Sequence, residues 1–326
     1  MPKNVGDQAR PRRWIRRTVI ASIVAVGMLI GVVAAYLGYL NHTVTENVKH
    51  AALLPQELKA TAAAQQPGQP AAATQPLTFL LIGSDERPGE DRSRSDVIIV
   101  AHVDAARQKV YLIHFPRDLY VEIPGRRGRD KINHSYRYGG MPLLAATVNK
   151  LTGIKVDHAA QIDFERFSAM TDAVGGVDVD VEEASPPDFV KGRMHMDGEK
   201  ALLFVRQRKM LSEGDISRGR REQAFLKALM LKALSKETLG NPMQFARFVD
   251  AATKNVTVDD DLSIADMRAE ALNLRNLRGN DIVFITAPLG RFFNTSSGMS
   301  VIAPDQPRMN ELGKAVMQDQ LNTYTP

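Results

Sequence analysis

Thr78-Phe79-Leu80-Leu81-Ile82-Gly83, followed by Ser84-Asp85, is the stretch that decides the fold. Six residues with almost no polar group, stopped by Gly-Ser-Asp, read as a fully apolar strand. Two further strands are expected at Asp96–Val103 and Val110–Phe115, joined by a polar turn through Asp104 and Lys109. A short strand, Leu119–Ile123, ends at Pro124-Gly125. Helical spacing then takes over in Met141–Leu151, with Leu144, Val148 and Leu151 on one side, and in a second helix carrying Phe164, Phe167, Met170 and Val174 up to Gly175-Gly176. Val177–Val181 alternates as a strand. Asp197 has the position of an N-cap for Gly198–Val205, and Asp215–Leu234 reads as a long helix with Phe225, Leu226, Leu229 and Leu234 on its apolar side. Two more helical stretches, a strand at Asp281–Ala287 and a last helix over Gln306–Leu321 follow. Interleaved strands and helices predict an α/β (mixed α+β) class: a single three-layer α-β-α domain around a central sheet.

Outward from this domain the composition changes. Pro55–Pro76 is Ala, Gln, Thr and Pro with few large apolar residues, which predicts a flexible linker. Thr18–Leu40 holds 23 residues without a charge. At ~1.5 Å per residue such a helix is roughly 35 Å long, enough to cross a bilayer. Lys3, Arg10, Arg12, Arg13, Arg16 and Arg17 precede it, which places the N-terminus in the cytoplasm, and Trp14, Tyr36 and Tyr39 suit the two interfaces. The apolar run is longer than that of a cleaved signal peptide. The expected organisation is therefore a basic cytoplasmic arm (1–17), a transmembrane signal anchor (18–40), an extracytoplasmic stalk and linker (41–76) and the folded domain (77–321).

Charge excludes one class of partner. The chain carries 42 basic and 37 acidic residues, a net +5 with a pI near 9.3. All of that excess lies in the first 17 residues, so the folded part has no surplus with which to grip a nucleic acid. Zero cysteines exclude disulfides and thiolate metal sites, and the seven histidines show no H-x-x-H or H-E-x-x-H spacing, so zinc hydrolase chemistry is not expected.

Arginines and carboxylates recur where the apolar runs end. They are Asp85 and Arg87, Arg94 and Asp96, Arg117 and Asp118, Arg206 and Arg208, and Asp215 with Arg218, Arg221 and Glu222. Steps of three and four put the last set on one helical stripe, opposite or beside the apolar one. Read as an extended segment, Val205-Arg206-Gln207-Arg208 projects both arginines to one side. Arginine offers a permanently charged fork of donors that fits phosphate oxygens, and carboxylates among arginines leave room for a divalent metal. For a single helix the bland alternative is a solvated charged face with internal ion pairs. Five clusters at strand and helix ends favour a polyphosphate site at the carboxyl edge of the sheet.

The motifs Leu81-Ile82-Gly83-Ser84-Asp85-Glu86-Arg87, Arg94-Ser95-Asp96, Phe115-Pro116-Arg117-Asp118, Lys131-Ile132-Asn133-His134, Gly175-Gly176-Val177-Asp178-Val179, Val205-Arg206-Gln207-Arg208 and Asp215-Ile216-Ser217-Arg218 resemble, in order and spacing, those of the LytR-CpsA-Psr family. The resemblance covers residues 77–235 closely and the tail to about 320 more loosely. It implies a membrane-anchored phosphotransferase that moves a glycopolymer from an undecaprenyl-pyrophosphate carrier onto peptidoglycan. It also implies that Asp85 and Asp96 hold Mg²⁺ or another divalent cation such as Mn²⁺. Arg94, Arg117, Arg206, Arg208 and Arg218, with Arg221 beside them, would bind the pyrophosphate, and Arg117, Asp215 and Arg218 would be catalytic. Asp215 is the candidate base for the attacking sugar hydroxyl, the alternative being that it orients Arg218. Glu222 stands where the family usually has Gln. The implied partners are the polyprenyl-linked glycan, peptidoglycan and the membrane, with no nucleic acid. The apolar lining of a lipid tunnel could include Phe164, Phe167, Met170, Phe225 and Leu229, though such stripes are more often core, and Tyr136 and Tyr138 are candidates for stacking on sugar. Two other classes stay open: a polyprenyl-pyrophosphate hydrolase and a non-enzymatic, wall-associated regulator.

Overall fold

The computed structural model describes residues 31–54, 75–84, 95–163, 167–207, 210–212, 215–254 and 256–325. The chain divides into two compact units, Met1–Glu46 and Asn47–Pro326. In the first, residues 31–46 are helical (α1), with Val32, Val33, Leu37 and Tyr39 exposed. Among the described residues no helix is long and apolar enough to cross a membrane, and most of the expected span 18–40 lies outside them.

Among the described residues, the second unit is built on a seven-stranded mixed sheet in the order β1 (Lys49–Ala51), β10 (Val256–Asp259), β7 (His158–Asp163), β2 (Leu77–Ser84), β3 (Ser95–Val103), β4 (Val110–His114), β11 (Ile282–Thr286). Its centre is the stretch quoted above: β2 (Leu77–Ser84) pairs antiparallel with β3 (Ser95–Val103) and parallel with β7 (His158–Asp163). β3 pairs antiparallel with β4 (Val110–His114), and β4 runs parallel to β11 (Ile282–Thr286). The period of two in β2 divides its side chains between two cores. Leu80 and Ile82 enter a cluster with Leu144 and Val148 of α2 (Ile132–Thr152) and with Met309, Leu312 and Val316 of α9 (Gln306–Met317). Phe79 and Leu81 point to the other face, where Met230 and Leu234 of α5 (Asp215–Ala233) and the turn after it pack. Helices thus cover both faces, as a near-continuous apolar strand requires.

α5 also closes a second cluster. Phe225, Leu229 and Ala233 pack with Val177, Val179 and Val181 of β8 (Val177–Val181), Met196 of β9 (Gly192–Met196), Met170 of α3 (Phe167–Ala173) and Phe204 of α4 (Gly198–Arg206). Met170, Phe225 and Leu229 are therefore core and do not line an open tunnel. On the α5 side of the sheet, Phe79, Leu81, Ile99, Val110 and Phe284 stay half-covered, with Met230 and Leu234 packed against them.

Three local features differ from expectation. Lys49–Ala51, inside the stretch read as stalk, is strand β1, paired parallel with β10 (Val256–Asp259), and Leu53 and Leu54 are buried beside it. Three residues whose partner lies some 200 positions away leave no periodic signal. α2 starts nine residues before Met141: Gly139 and Gly140 (φ 67, ψ −159) kink it, and Pro142, lacking an N–H to donate, opens its second half. Arg206 is the last residue of α4, whose N-cap Asp197 accepts from the Lys200 N–H, so Arg206 closes a helix and does not lie in an extended segment.

Candidate functional site

β2, β4, β7 and β11 run in one direction, so Ser84, His114, Asp163 and Thr286 end at one edge of the sheet. β3 runs against them and begins there: Ser84, the residue before Asp85, pairs with Ser95, the residue before Asp96. The Arg117 loop leaves β4 at this edge. Phe115 is fully buried and its N–H reaches Ile98 O at 2.9 Å, so the turn that follows is anchored at its start. Its far side is tied by Ile302 N to Asp118 O (3.0 Å), Ile132 N to Leu119 O (2.8 Å) and Asn133 N to Arg117 O (3.3 Å).

The side chains extend this bracing. Lys131 Nζ donates to Asp118 Oδ1 at 2.6 Å, and Asp118 Oδ2 lies 3.6 Å from Arg117 Nε. All three are mostly buried, at 18%, 12% and 12% side-chain exposure, so water screens the chain of charges weakly. The Lys-Ile-Asn-His motif therefore holds the Arg117 loop, through the Lys131 ammonium and the Asn133 backbone.

Across from Arg117 stands the first part of α5. Its buried face runs Arg218, Arg221, Glu222, Phe225, Leu229, in steps of three and four, so the charges are in line with the apolar stripe, one turn earlier. Arg218 Nε and Glu222 Oε1 are 2.9 Å apart, with side-chain exposures of 4% and 8%. Glu222, Gln223 and Arg220 line a cavity of about 150 Å³ whose opposite wall is Arg117, Asp118 and His114. Burial pushes His114 down to about 4, and the Gln223 amide donates to its Nδ1, so the ring is neutral near pH 7. The positive charge in the cavity wall belongs to Arg117 and Arg220.

Arg221 goes elsewhere. Its Nη2 donates to Glu183 O (2.7 Å) and Ser185 Oγ (2.8 Å), and its guanidinium lies over the Phe204 ring at 4.7 Å. Burial lowers its pKa, opposed by the charge of Glu183. It lines a separate cavity of about 290 Å³ with Asp180, Glu182 and Glu183. Of the expected phosphate ligands, the structure thus joins Arg117 to one cavity with Glu222, the partner of Arg218, and turns Arg221 to another. Arg206 is exposed at the end of α4. Asp85, Arg94 and Arg208 lie outside the described residues, and Asp96 and Asp215 are placed by their backbones only. Among the described residues no three His, Asp or Glu side chains gather as a metal site. Tyr136 is buried with its hydroxyl on Gln161 Oε1 (3.0 Å), and Tyr138 has one ring face under Arg126, so neither is an open sugar platform. Lys131, His114, Gln223 and Arg220 were not foreseen as site residues. Only Lys131 carried a signal, its place in a quoted motif.

The model of the LytR_cpsA_psr family matches residues 36–318. The chain belongs to this family. A relative from Bacillus mycoides (strain KBAB4), named polyisoprenyl-teichoic acid–peptidoglycan teichoic acid transferase TagU, is 37% identical over 186 residues, 56% of this chain and 60% of its own length. The chain thus spans about three fifths of that curated relative. Among solved structures, B. subtilis TagV shares 26% identity with a TM-score of 0.63, covering 78% of this chain and 99% of its own. The structure of TagT bound to LI-WTA shares 25% with a TM-score of 0.62, covering 83% and 99%. The Arg218–Glu222 pair puts an acid at the position where the resemblance led to an expectation of Gln.

Proposed function

We propose that the chain is a membrane-anchored phosphotransferase that moves a polyprenyl-pyrophosphate-linked glycopolymer onto peptidoglycan. The observation that carries this reading is the Arg117 loop. A guanidinium braced by Asp118 and Lys131 stands at the carboxyl edge of the sheet, opposite the arginine-bearing turn of α5, in a chain whose relatives are named teichoic acid transferases. In the reaction, a peptidoglycan sugar hydroxyl attacks the phosphorus nearest the glycan. The bond from that phosphorus to the bridging oxygen breaks, and polyprenyl phosphate leaves with the electron pair. The hydroxyl proton passes to a carboxylate, for which Asp215 at the head of α5 is the candidate. Arg117, with Arg220 across the cavity, neutralises charge on the non-bridging oxygens, and Arg218, buried against Glu222, adds its field from behind the wall. Asp85 and Asp96 would hold Mg²⁺ or Mn²⁺, which supplies further neutralisation of the pyrophosphate; the pairing of Ser84 with Ser95 supports a joint role for the residues that follow them.

The half-covered apolar face between Phe79, Leu81 and Phe284 on the sheet and Met230 and Leu234 at the end of α5 suits a polyprenyl chain better than the stripes first considered. Exposed Val32, Val33 and Leu37 on α1 support the anchor, with the catalytic unit outside the cytoplasm. The test is to incubate the full-length chain in detergent with Mg²⁺, peptidoglycan oligomers and lipid-linked donors, and to follow transfer by mass spectrometry. Acceptor-dependent transfer that Arg117→Ala abolishes is expected. Phosphate release without acceptor would make the chain a hydrolase, and normal transfer by Arg117→Ala would overturn the site.

A further inference from the structure

One wall of the Arg117 cavity ends in an exposed aromatic ring. β12 (Leu289–Asn294) and β13 (Ser300–Pro304) form a separate two-stranded antiparallel sheet. Leu289 pairs with Pro304 and Phe292 with Ile302, so three steps along β12 meet two along β13. In an unbroken strand, residues three apart face opposite sides. The extra residue turns them to one side, and Leu289 and Phe292 both line the Arg117 cavity. Gly290 lies within this bulge, where a Cβ would come 3.0 Å from Ala303 O, so the close approach of the two strands favours glycine there.

The hairpin is fastened to the loop that carries Arg117. Ile302, the cross-strand neighbour of Phe292, is buried, bridges to Leu119, donates its N–H to Asp118 O at 3.0 Å and lines the same cavity. Phe293 holds the hairpin a second time, its ring meeting that of Tyr120 edge-on at 5.8 Å. Phe292 itself stays 52% exposed. A lone exposed phenylalanine needs no explanation on an open surface. Here a bulge aims it into a cavity whose other walls carry Arg117, Asp118, Arg220, Glu222 and Gln223, so a flat apolar surface stands beside a phosphate site.

We propose that Phe292 is the platform on which the first sugar of the donor, the pyranose ring nearest the reacting phosphorus, stacks. The proposal rests on the transferase reading and adds a positioning residue to it. A pyranose has an apolar C–H face and a polar edge, and a phenyl ring covers the first while leaving the second to water and to the charged walls. That sugar is joined to the phosphorus through one oxygen, so a phosphate held on Arg117 brings the ring into the same small cavity. The lipid end leaves in another direction: Met230 lies seven residues beyond Gln223 on α5, roughly 10 Å from the cavity wall at ~1.5 Å per residue. Phe292 also supplies the open aromatic face that Tyr136 and Tyr138 do not, and the only tryptophan is Trp14.

The test uses the full-length chain in detergent with Mg²⁺, lipid-linked donors and saturating acceptor. Phe292→Ala should raise the donor KM about fivefold, the size of one lost ring contact, with a melting midpoint within about 1 °C of the unmodified chain because the side chain is exposed. Phe292→Tyr and Phe292→Trp should restore the KM, and Phe292→Leu, apolar but not flat, should not. Calorimetry reads the same contact without turnover: Phe292→Ala should weaken N-acetylglucosamine 1-phosphate about fivefold and leave farnesyl pyrophosphate within about twofold. A Phe292→Leu chain that behaves as the unmodified one, or an equal loss of farnesyl pyrophosphate, would give the ring to the lipid and overturn the proposal. An unchanged donor KM in Phe292→Ala, or a rise confined to the acceptor KM, overturns it as well. If no donor is transferred while the sugar phosphate still needs an aromatic residue at 292 to bind, the transferase reading fails and the platform stands.

Discussion

Replacing Glu222 by Gln tests the electrostatics of the site at one atom pair. Arg218 Nε and Glu222 Oε1 are 2.9 Å apart, and neither side chain is more than 8% exposed. Two unit charges ~4 Å apart at an effective dielectric near 20 attract by about 4 kcal/mol. Gln keeps an oxygen that can accept from Arg218 but loses the charge, so about half of that attraction should go, roughly 2–3 kcal/mol. For a unit of this size, where one kcal/mol moves the midpoint by about 2 °C, the melting temperature should fall by about 4–6 °C.

Catalysis should move the other way. Glu222 places a negative charge in the wall of the Arg117 cavity, and at ~7 Å in partly hydrated surroundings it repels a phosphate charge by about 1 kcal/mol. Glu222→Gln should therefore lower the donor KM several-fold while it lowers stability. Thermal melting of the full-length variant in detergent, with donor-dependent transfer rates on the same preparation, reads both. A midpoint within 1 °C of the unmodified chain, with an unchanged or raised KM, would show that the pair contributes nothing and that the substitution is neutral.

Three further outcomes follow from the same geometry. Arg221→Ala should cost about 2–4 kcal/mol by leaving Ser185 and the Phe204 ring unsupported, yet leave the donor KM within twofold, as denaturant melts and transfer kinetics would reveal. Lys131→Met should cut kcat about 10–100-fold through displacement of Asp118 and Arg117, with partial recovery in Lys131→Arg, measured at saturating donor. The third concerns His114, folded at about 4 against 6.5 in the unfolded chain. The neutral ring is favoured by folding, so its contribution is complete above pH 6.5 and is lost as pH falls from 6.5 to 4, on the order of 3 kcal/mol in all. The stability difference between pH 7.5 and 4.5 should be smaller in His114→Gln, by urea denaturation.

The central strands were legible because burial on both faces leaves a signal in every residue: β2, β3 and β4 lie within a residue or so of their expected limits. Asp197 as N-cap and the long helix from Asp215 were legible for the same local reason. What escaped depends on partners far away in the chain. Lys49–Ala51 is a strand because β10 lies beside it, and Tyr136 is core because its ring joins the cluster of Leu144 and Val148 while Gln161 receives its hydroxyl. Within the site, residue types and their clustering at element ends pointed to Arg117 and to α5. Which guanidinium faces which cavity did not follow, because a helical stripe of steps of three and four is wide enough to divide: Arg218 and Glu222 turn one way and Arg221, one residue from Glu222, the other.

That division explains why α5 is the element on which the proposed chemistry turns. A buried helix face that begins with charge and continues with Phe225 and Leu229 costs stability unless the charges find partners, and here they find different ones: Arg218 Nε lies 2.9 Å from Glu222 Oε1, and Arg221 Nη2 donates to the Glu183 carbonyl and Ser185, while its Nε and Nη1 stay without a hydrogen bond to the described residues. The apolar half is locked between the sheet face of Phe79 and Leu81 and the core around Val179 and Phe204, so it cannot shift without breaking both. A rigid apolar half holds the charged half in register with Arg117, and a lipid lying along Met230 and Leu234 would deliver its pyrophosphate towards that charged end. One helix can in this way measure the distance between the tail and the reacting phosphorus of its donor. A donor with a shortened polyprenyl chain should then lose kcat as well as affinity, since binding along the apolar half is what positions the phosphate. Transfer rates at saturating concentrations of long and short donors decide this: equal kcat values would mean that the lipid contributes anchoring alone.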